Sequence, residues 1–268
     1  MDGEDENYRG NKMELKINGV GFSYPSKDVL NNITTDLDGP QLVAILGPNG
    51  VGKSTLIHCI DRILKPTEGH VLVDGKDTYD YPMKEMAKKV GYVPCASSDV
   101  FPMSVVDAVL LGRHPHSNWK STRDDVKLVF SILKRLGIED LAKNQFNELS
   151  AGQHQKVMLA RGLVQEPEIL LLDEPTANLD VKHQLGVTRL LRDIAHDDGV
   201  LIVMICHDLN IAAKYADSII MMRDGTIFAA GKPEEVMIEE NIRSVYDVEC
   251  RIIEDQGRPH VILRECDY

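Results

Sequence analysis

The sequence predicts an α/β fold with a mainly parallel core sheet, and three observations predict it. Apolar, strand-like runs alternate with helix-period segments over most of the chain; a glycine-rich loop links one such run to a helix; another run ends in adjacent carboxylates. An antiparallel β part at the start and an inserted helical part in the middle complete the expected architecture.

Taken in chain order, the alternation in Met13-Glu14-Leu15-Lys16-Ile17 and again over residues 20–24 predicts antiparallel strands. The short run Gln41-Leu42-Val43-Ala44-Ile45-Leu46 opens the core. Residues 104–111 and 122–136 change to helical spacing, with Val126, Val129, Leu133 and Leu136 on one face. After Leu149 the strand–helix alternation resumes, with a helix over 154–164 and strands near 169–172, 200–206, 218–222 and 226–229. The domain organisation read from this pattern is an acidic solvated tail at 1–12, one domain over 13–240 with its helical part at about 96–160, and a short C-terminal tail at 241–268.

Gly47-Pro48-Asn49-Gly50-Val51-Gly52-Lys53-Ser54-Thr55 stands between the run ending at Leu46 and the helical Leu56-Ile57-His58-Cys59-Ile60. Glycines let a backbone curl with its N–H groups pointing inward, and a helix start adds partial positive charge. Lys53 can reach the outer phosphates of a nucleotide, and the Ser54 hydroxyl can ligate Mg²⁺. Ile169-Leu170-Leu171-Leu172 delivers Asp173 and Glu174 at its C-terminal end, where open parallel sheets place their chemistry. Asp173 suits a magnesium ion reached through water, and Glu174 can accept a proton from an attacking water. Leu149-Ser150-Ala151-Gly152-Gln153 is a small polar turn opening a helix, an ordinary cap when taken alone.

In this order and spacing these residues resemble the ATP-binding cassette of ABC transporters, over roughly residues 13 to 240. The resemblance implies a P-loop NTPase fold of the ABC ATPase type. The cradle is then the Walker A motif, with Gly47, Pro48, Asn49, Gly50, Gly52, Lys53, Ser54 and Thr55 around the phosphates, and Asp173 and Glu174 close the Walker B strand. Leu149 to Gln153 becomes the signature motif, Ala177-Asn178-Leu179-Asp180 the D-loop and His207 the switch histidine. Tyr24 falls where the family stacks an aromatic ring on adenine. The implied ligands are ATP and Mg²⁺, the metal on Ser54 and Asp173, with Glu174, His207 and Lys53 carrying catalysis. Two copies are implied, paired head to tail around two nucleotides, because Ser150 and Gly152 of one chain face Lys53 of the other in such cassettes, with Gln153 and Asp180 also among the nucleotide-binding residues.

The segments Tyr92-Val93-Pro94, Asp99 to Val105 and Leu110 to His116 are similar to cassettes of the iron-siderophore, haem and cobalamin importer group. In that group the stretch from about 95 to 116 receives a helix of the membrane permease. Val100, Phe101 and Met103, flanked by Pro102 and Arg113, would line the pocket, and His114 and His116 read as surface or interface residues. The expected function is ATP hydrolysis that powers import of a metal chelate through that permease, which an extracytoplasmic solute-binding protein supplies. A cytosolic ABC ATPase acting as an assembly or regulatory clamp, without transport, is the alternative. One residue departs from the pattern: where the family has Gln after Tyr92-Val93-Pro94, this chain has Cys95, a soft ligand that magnesium disfavours.

At 268 residues and 43% hydrophobic, the chain suffices for one such unit and not for two. Its apolar runs fall far short of the roughly 20 residues that span a bilayer, and its start carries no apolar signal region. A peripheral place on the cytoplasmic side of the membrane, reached through the permease, is therefore expected. A net charge of −12 argues against nucleic acid as a partner. Cys59, Cys95, Cys206, Cys250 and Cys266 are odd in number and lack CxxC spacing, so they read as reduced thiols.

Overall fold

The computed structural model describes residues 13–95, 102–116, 122–177 and 179–264; the acidic start, Val100, Phe101, Asn178 and Cys266 lie outside the described residues. The chain opens with β1 (Glu14–Tyr24) and β2 (Lys27–Asp38) and enters the core through β3 (Gln41–Leu46) and α1 (Lys53–Ile60). It returns through β4 (Glu68–Val73), β5 (Lys76–Asp77), α2 (Met83–Lys89) and β6 (Val90–Val93). Three helices follow: α3 (Val105–Leu110), α4 (Arg123–Arg135) and α5 (Ala151–Leu163). Alternation resumes with β7 (Ile169–Leu172), α6 (Val181–Asp198), β8 (Leu201–Ile205), α7 (Leu209–Tyr215) and β9 (Ser218–Arg223). β10 (Thr226–Gly231), α8 (Pro233–Val236), α9 (Glu239–Tyr246), β11 (Cys250–Asp255) and β12 (Arg258–Leu263) end the described chain.

The central sheet runs β10-β9-β3-β8-β7-β6, parallel except for β10. Both its faces are covered, which is why β3, β7 and β8 read as unbroken apolar runs. Leu42, Ala44 and Leu46 of β3 point into a core shared with α3 to α7, and Val43 and Ile45 into a second core shared with α1 and the antiparallel sheet β2-β1-β4-β5. The parallel strands all send their C-terminal ends to the same edge, so the loops after β3, β7 and β8 meet there.

One expectation is corrected, and two stretches are filled in. Residues 14–24 form one strand, not two: its pairing with β2 shifts register between Ile17 and Val20 around Gly19 (φ 61°), a bulge that breaks the alternation in the sequence. The sequence reading passed over β2, whose buried residues Leu30, Ile33 and Leu37 stand at helix-like intervals because the strand is itself bulged at Asn32 (φ 50°). The C-terminal stretch, expected as a short tail, ends in two paired strands. β11 and β12 form a hairpin docked on α7, where Val261 N–H donates to Asn210 Oδ1 (2.7 Å) and Asn210 Nδ2 donates back to Val261 O (3.1 Å).

Candidate active site

β3 is buried from Leu42 to Leu46 and leaves the sheet through residues free in φ. Gly47 (φ 147°) and Gly52 (φ 103°) hold the two ends of the cradle in conformations that L side chains rarely adopt. A Cβ on Gly52 would also stand 2.7 Å from Leu30 Cδ2. Gly52 caps α1 without a side chain, so the first N–H groups of that helix stay available to an anion. Thr55 lies half-buried in the same first turn. The outer side of the cradle, Pro48, Asn49 and Gly50, borders a cleft of about 800 Å³ that Arg223 and Arg243 help to close.

Lys53 is 6% exposed, and its Nζ donates to the carbonyls of Gly47 (2.7 Å) and Pro48 (2.8 Å). Burial holds its ammonium below the ordinary lysine value, against the opposing pull of Glu174 and Asp173. Ser54 Oγ donates to Asp173 Oδ1 at 3.3 Å, which joins the start of α1 to the end of β7. Burial raises the Asp173 carboxyl, and the Ser54 hydrogen bond works the other way. Glu174 follows with φ 50°, a left-handed conformation that costs a residue with a side chain on the order of 1–3 kcal/mol. Its Oε1 stands 2.6 Å from His207 Nε2, just past the end of β8. Lys53, Ser54, Asp173, Glu174 and His207 thus meet at one edge of the sheet. Tyr24 ends β1, 45% exposed, with its ring edge-on to Phe22 at 4.9 Å.

Ser150, Gly152, Gln153 and Asp180 form a second cluster. Ser150 Oγ accepts from Gln153 N–H (3.4 Å) and Gln153 Oε1 from Ser150 N–H (3.0 Å), a reciprocal cap on α5. Asp180 caps α6 by accepting the His183 N–H at 2.9 Å, and that bond is the main reason its carboxyl is held below the usual range. Arg113, expected at the rim of a docking pocket, is half-buried and forms ion pairs with Asp125 (2.8 Å) and Glu166 (2.6 Å), while Met103 packs on the core. His116 Nε2 lies 2.7 Å from Gln165 O.

Two groups escaped the sequence reading. His58 Nε2 stands 3.1 Å from Tyr92 Oη, and the Tyr92 phenol is pushed up to about 12 by burial, with Asp173, Asp61 and Cys95 adding to it. The available signal was spacing: His58 lies one turn beyond Ser54 on α1, hence on the same helix face. Cys95, half-buried, follows β6 and Pro94. His183, three residues past Asp180, is the other missed group.

Residues 30–177 match the family model described as ABC transporter. The chain is 47% identical to an uncharacterised ABC transporter ATP-binding protein of Methanocaldococcus jannaschii, over 93% of this chain and 98% of the relative. It is 36% identical to the ferric enterobactin transport ATP-binding protein FepC of Escherichia coli, over 92% of this chain and 93% of FepC. A solved chain of a metal-chelate type ABC transporter in an inward-facing conformation is 29% identical, with a TM-score of 0.83 over 95% of this chain and 98% of that one. Fold and site together define an ATP-hydrolysing domain of the P-loop kind. The chain belongs to the ABC transporter family, as one of its ATPases.

Proposed function

We propose that this protein is the ATPase subunit that powers import of a metal chelate, such as a ferric siderophore, haem or cobalamin, through a separate permease. The observation that carries the reading is the meeting of Ser54, Asp173, Glu174 and His207 at the mouth of a cradle built for phosphates. Similarity to a ferric enterobactin transport ATP-binding protein supports the cargo class. No helix among the described residues is long and apolar enough to cross a membrane, so the membrane path requires a partner. Residues 13–240 would form the ATPase domain with its helical part at about 96–160, held at the cytoplasmic face by a permease that contacts about 95–116.

In this reading Lys53 exchanges the Gly47 and Pro48 carbonyls for β- and γ-phosphate oxygens, and the N–H groups of the cradle take the rest. Tyr24 offers its exposed ring to the adenine. Ser54 and Asp173 supply two hard oxygens on neighbouring elements, a donor pair that fits magnesium. When bound, that ion would balance phosphate charge. Glu174 accepts a proton from the attacking water, and His207, already within hydrogen-bond reach of it, orients the carboxylate and reaches toward the γ-phosphate. Ser150, Gly152 and Gln153 form a neighbourhood of their own with Asp180 and His183, so they would serve the nucleotide of a second copy, paired head to tail.

Glu174→Gln keeps the shape and removes the base. Hydrolysis should fall by roughly 10²–10⁴ while ATP still binds, and an ATP-held dimer should accumulate on gel filtration. Unchanged hydrolysis, or monomer alone with MgATP, would sink the assignment. Co-purification from membranes with one integral subunit separates the transporter from the clamp.

A further inference from the structure

We propose that His183 is a positioning residue for hydrolysis, clamping the signature turn to the D-loop within each chain. The inference rests on the head-to-tail reading above. His183 Nδ1 lies 2.8 and 2.9 Å from the two oxygens of Asp180, and its backbone N–H donates to the same carboxylate at 2.9 Å. Three contacts from one carboxylate fix the imidazole in direction as well as place. The ring so held covers Gly152: a Cβ built there would stand 3.5 Å from His183 Cδ2 and 3.8 Å from Nε2. Gly152 lies in the first turn of α5, whose free N–H groups would meet the γ-phosphate of the partner's nucleotide.

The next residue extends the linkage. Gln184 Nε2 donates to Thr176 O at 3.3 Å, two residues beyond Glu174. The first turn of α6 therefore touches the signature turn on one side and the segment that follows the base on the other. A shift of Asp180 moves both, one belonging to the chain's own site and the other to its partner's. Stability does not explain the clamp, because the side chains of His183 and Asp180 are 51% and 66% exposed, and ion pairs in that setting add little.

The test uses the full chain. His183→Ala should lower kcat about tenfold, leave KM for ATP unchanged because the cradle of the same chain is intact, and leave the melting temperature unchanged. His183→Gln, whose amide can still donate to Asp180, should recover most of the rate. Asp180→Asn added to His183→Ala should bring no further loss, since both act through one clamp. Wild-type kcat in His183→Ala, or an additive loss in the double variant, overturns the proposal. Glu174→Gln with His183 intact provides the control. If it forms an ATP-held dimer while His183→Ala is fully active, only the clamp is wrong; if it stays monomeric, the head-to-tail reading fails and the clamp with it.

Discussion

A carboxylate closes α1 at the end where a helix is negative. Asp61 is the C-cap residue, and burial pushes its carboxyl up to about 6, against a single opposing bond from the Ile63 N–H at 3.0 Å. A folded-state value above the unfolded one means that the folded protein holds this proton more tightly. The burden is absent well below the unfolded value, at about pH 3, grows as pH rises from about 4 to about 6, and is complete at pH 7. Asp61→Asn keeps the Oδ1 acceptor and should stabilise the protein at pH 7 by about 1–3 kcal/mol, with no gain at about pH 3. Urea denaturation of both forms at the two pH values measures this, and an equal gain at both would refute it. Cys95 is the second residue to test. A thiol cannot fill a hard-oxygen position, so the transition state should lack on the order of 2–4 kcal/mol, the scale set by one preorganised polar group. Cys95→Gln should then speed hydrolysis at saturating MgATP at least tenfold; identical rates would mean that water does the work unaided. At this scale the cradle and the carboxylates were legible because their chemistry requires fixed spacing in sequence. His58 and His183 were not, since each takes its meaning from a neighbour that only folding supplies: Tyr92 for one, Gly152 for the other.

Elements follow the same division. β3, β7 and β8 could be read directly, because burial on both faces leaves no polar residue beyond Gln41 to blur the runs. α4 was legible from its stripe, and the structure adds a Thr122–Asp125 capping box at its start. β2 was hidden by its bulge, and the β11–β12 hairpin by exposed apolar residues such as Ile253 and Ile262 that alternate without an evident core. Contacts between elements leave still less trace. The 3₁₀ turn Leu111–Arg113 presses on α5 so closely that a Cβ on Gly112 would overlap the Arg161 carbonyl oxygen and stand 2.5 Å from Val164 Cγ1. Gly112 has an ordinary φ, so the hindrance is packing alone. Gly112→Ala should lower stability by about 1–3 kcal/mol through overpacking. The urea midpoint should drop while KM for ATP stays unchanged; an unaltered midpoint would show that α5 gives way freely.

For the whole molecule, the order of motifs along the chain is all that the sequence displays, whereas the order of strands across the sheet decides which motifs meet. β3 carries the cradle, β8 stands beside it with His207, and β7 comes next with Asp173 and Glu174. The histidine lies last in sequence and in the middle in space. The strands that carry the cradle and Glu174 are therefore two spacings apart, about 10 Å. That separation is a gauge set by backbone hydrogen bonds, and no change of side chain can reset it. In the proposed reading a terminal phosphate and one water lie between the two, and a wider setting would require another strand.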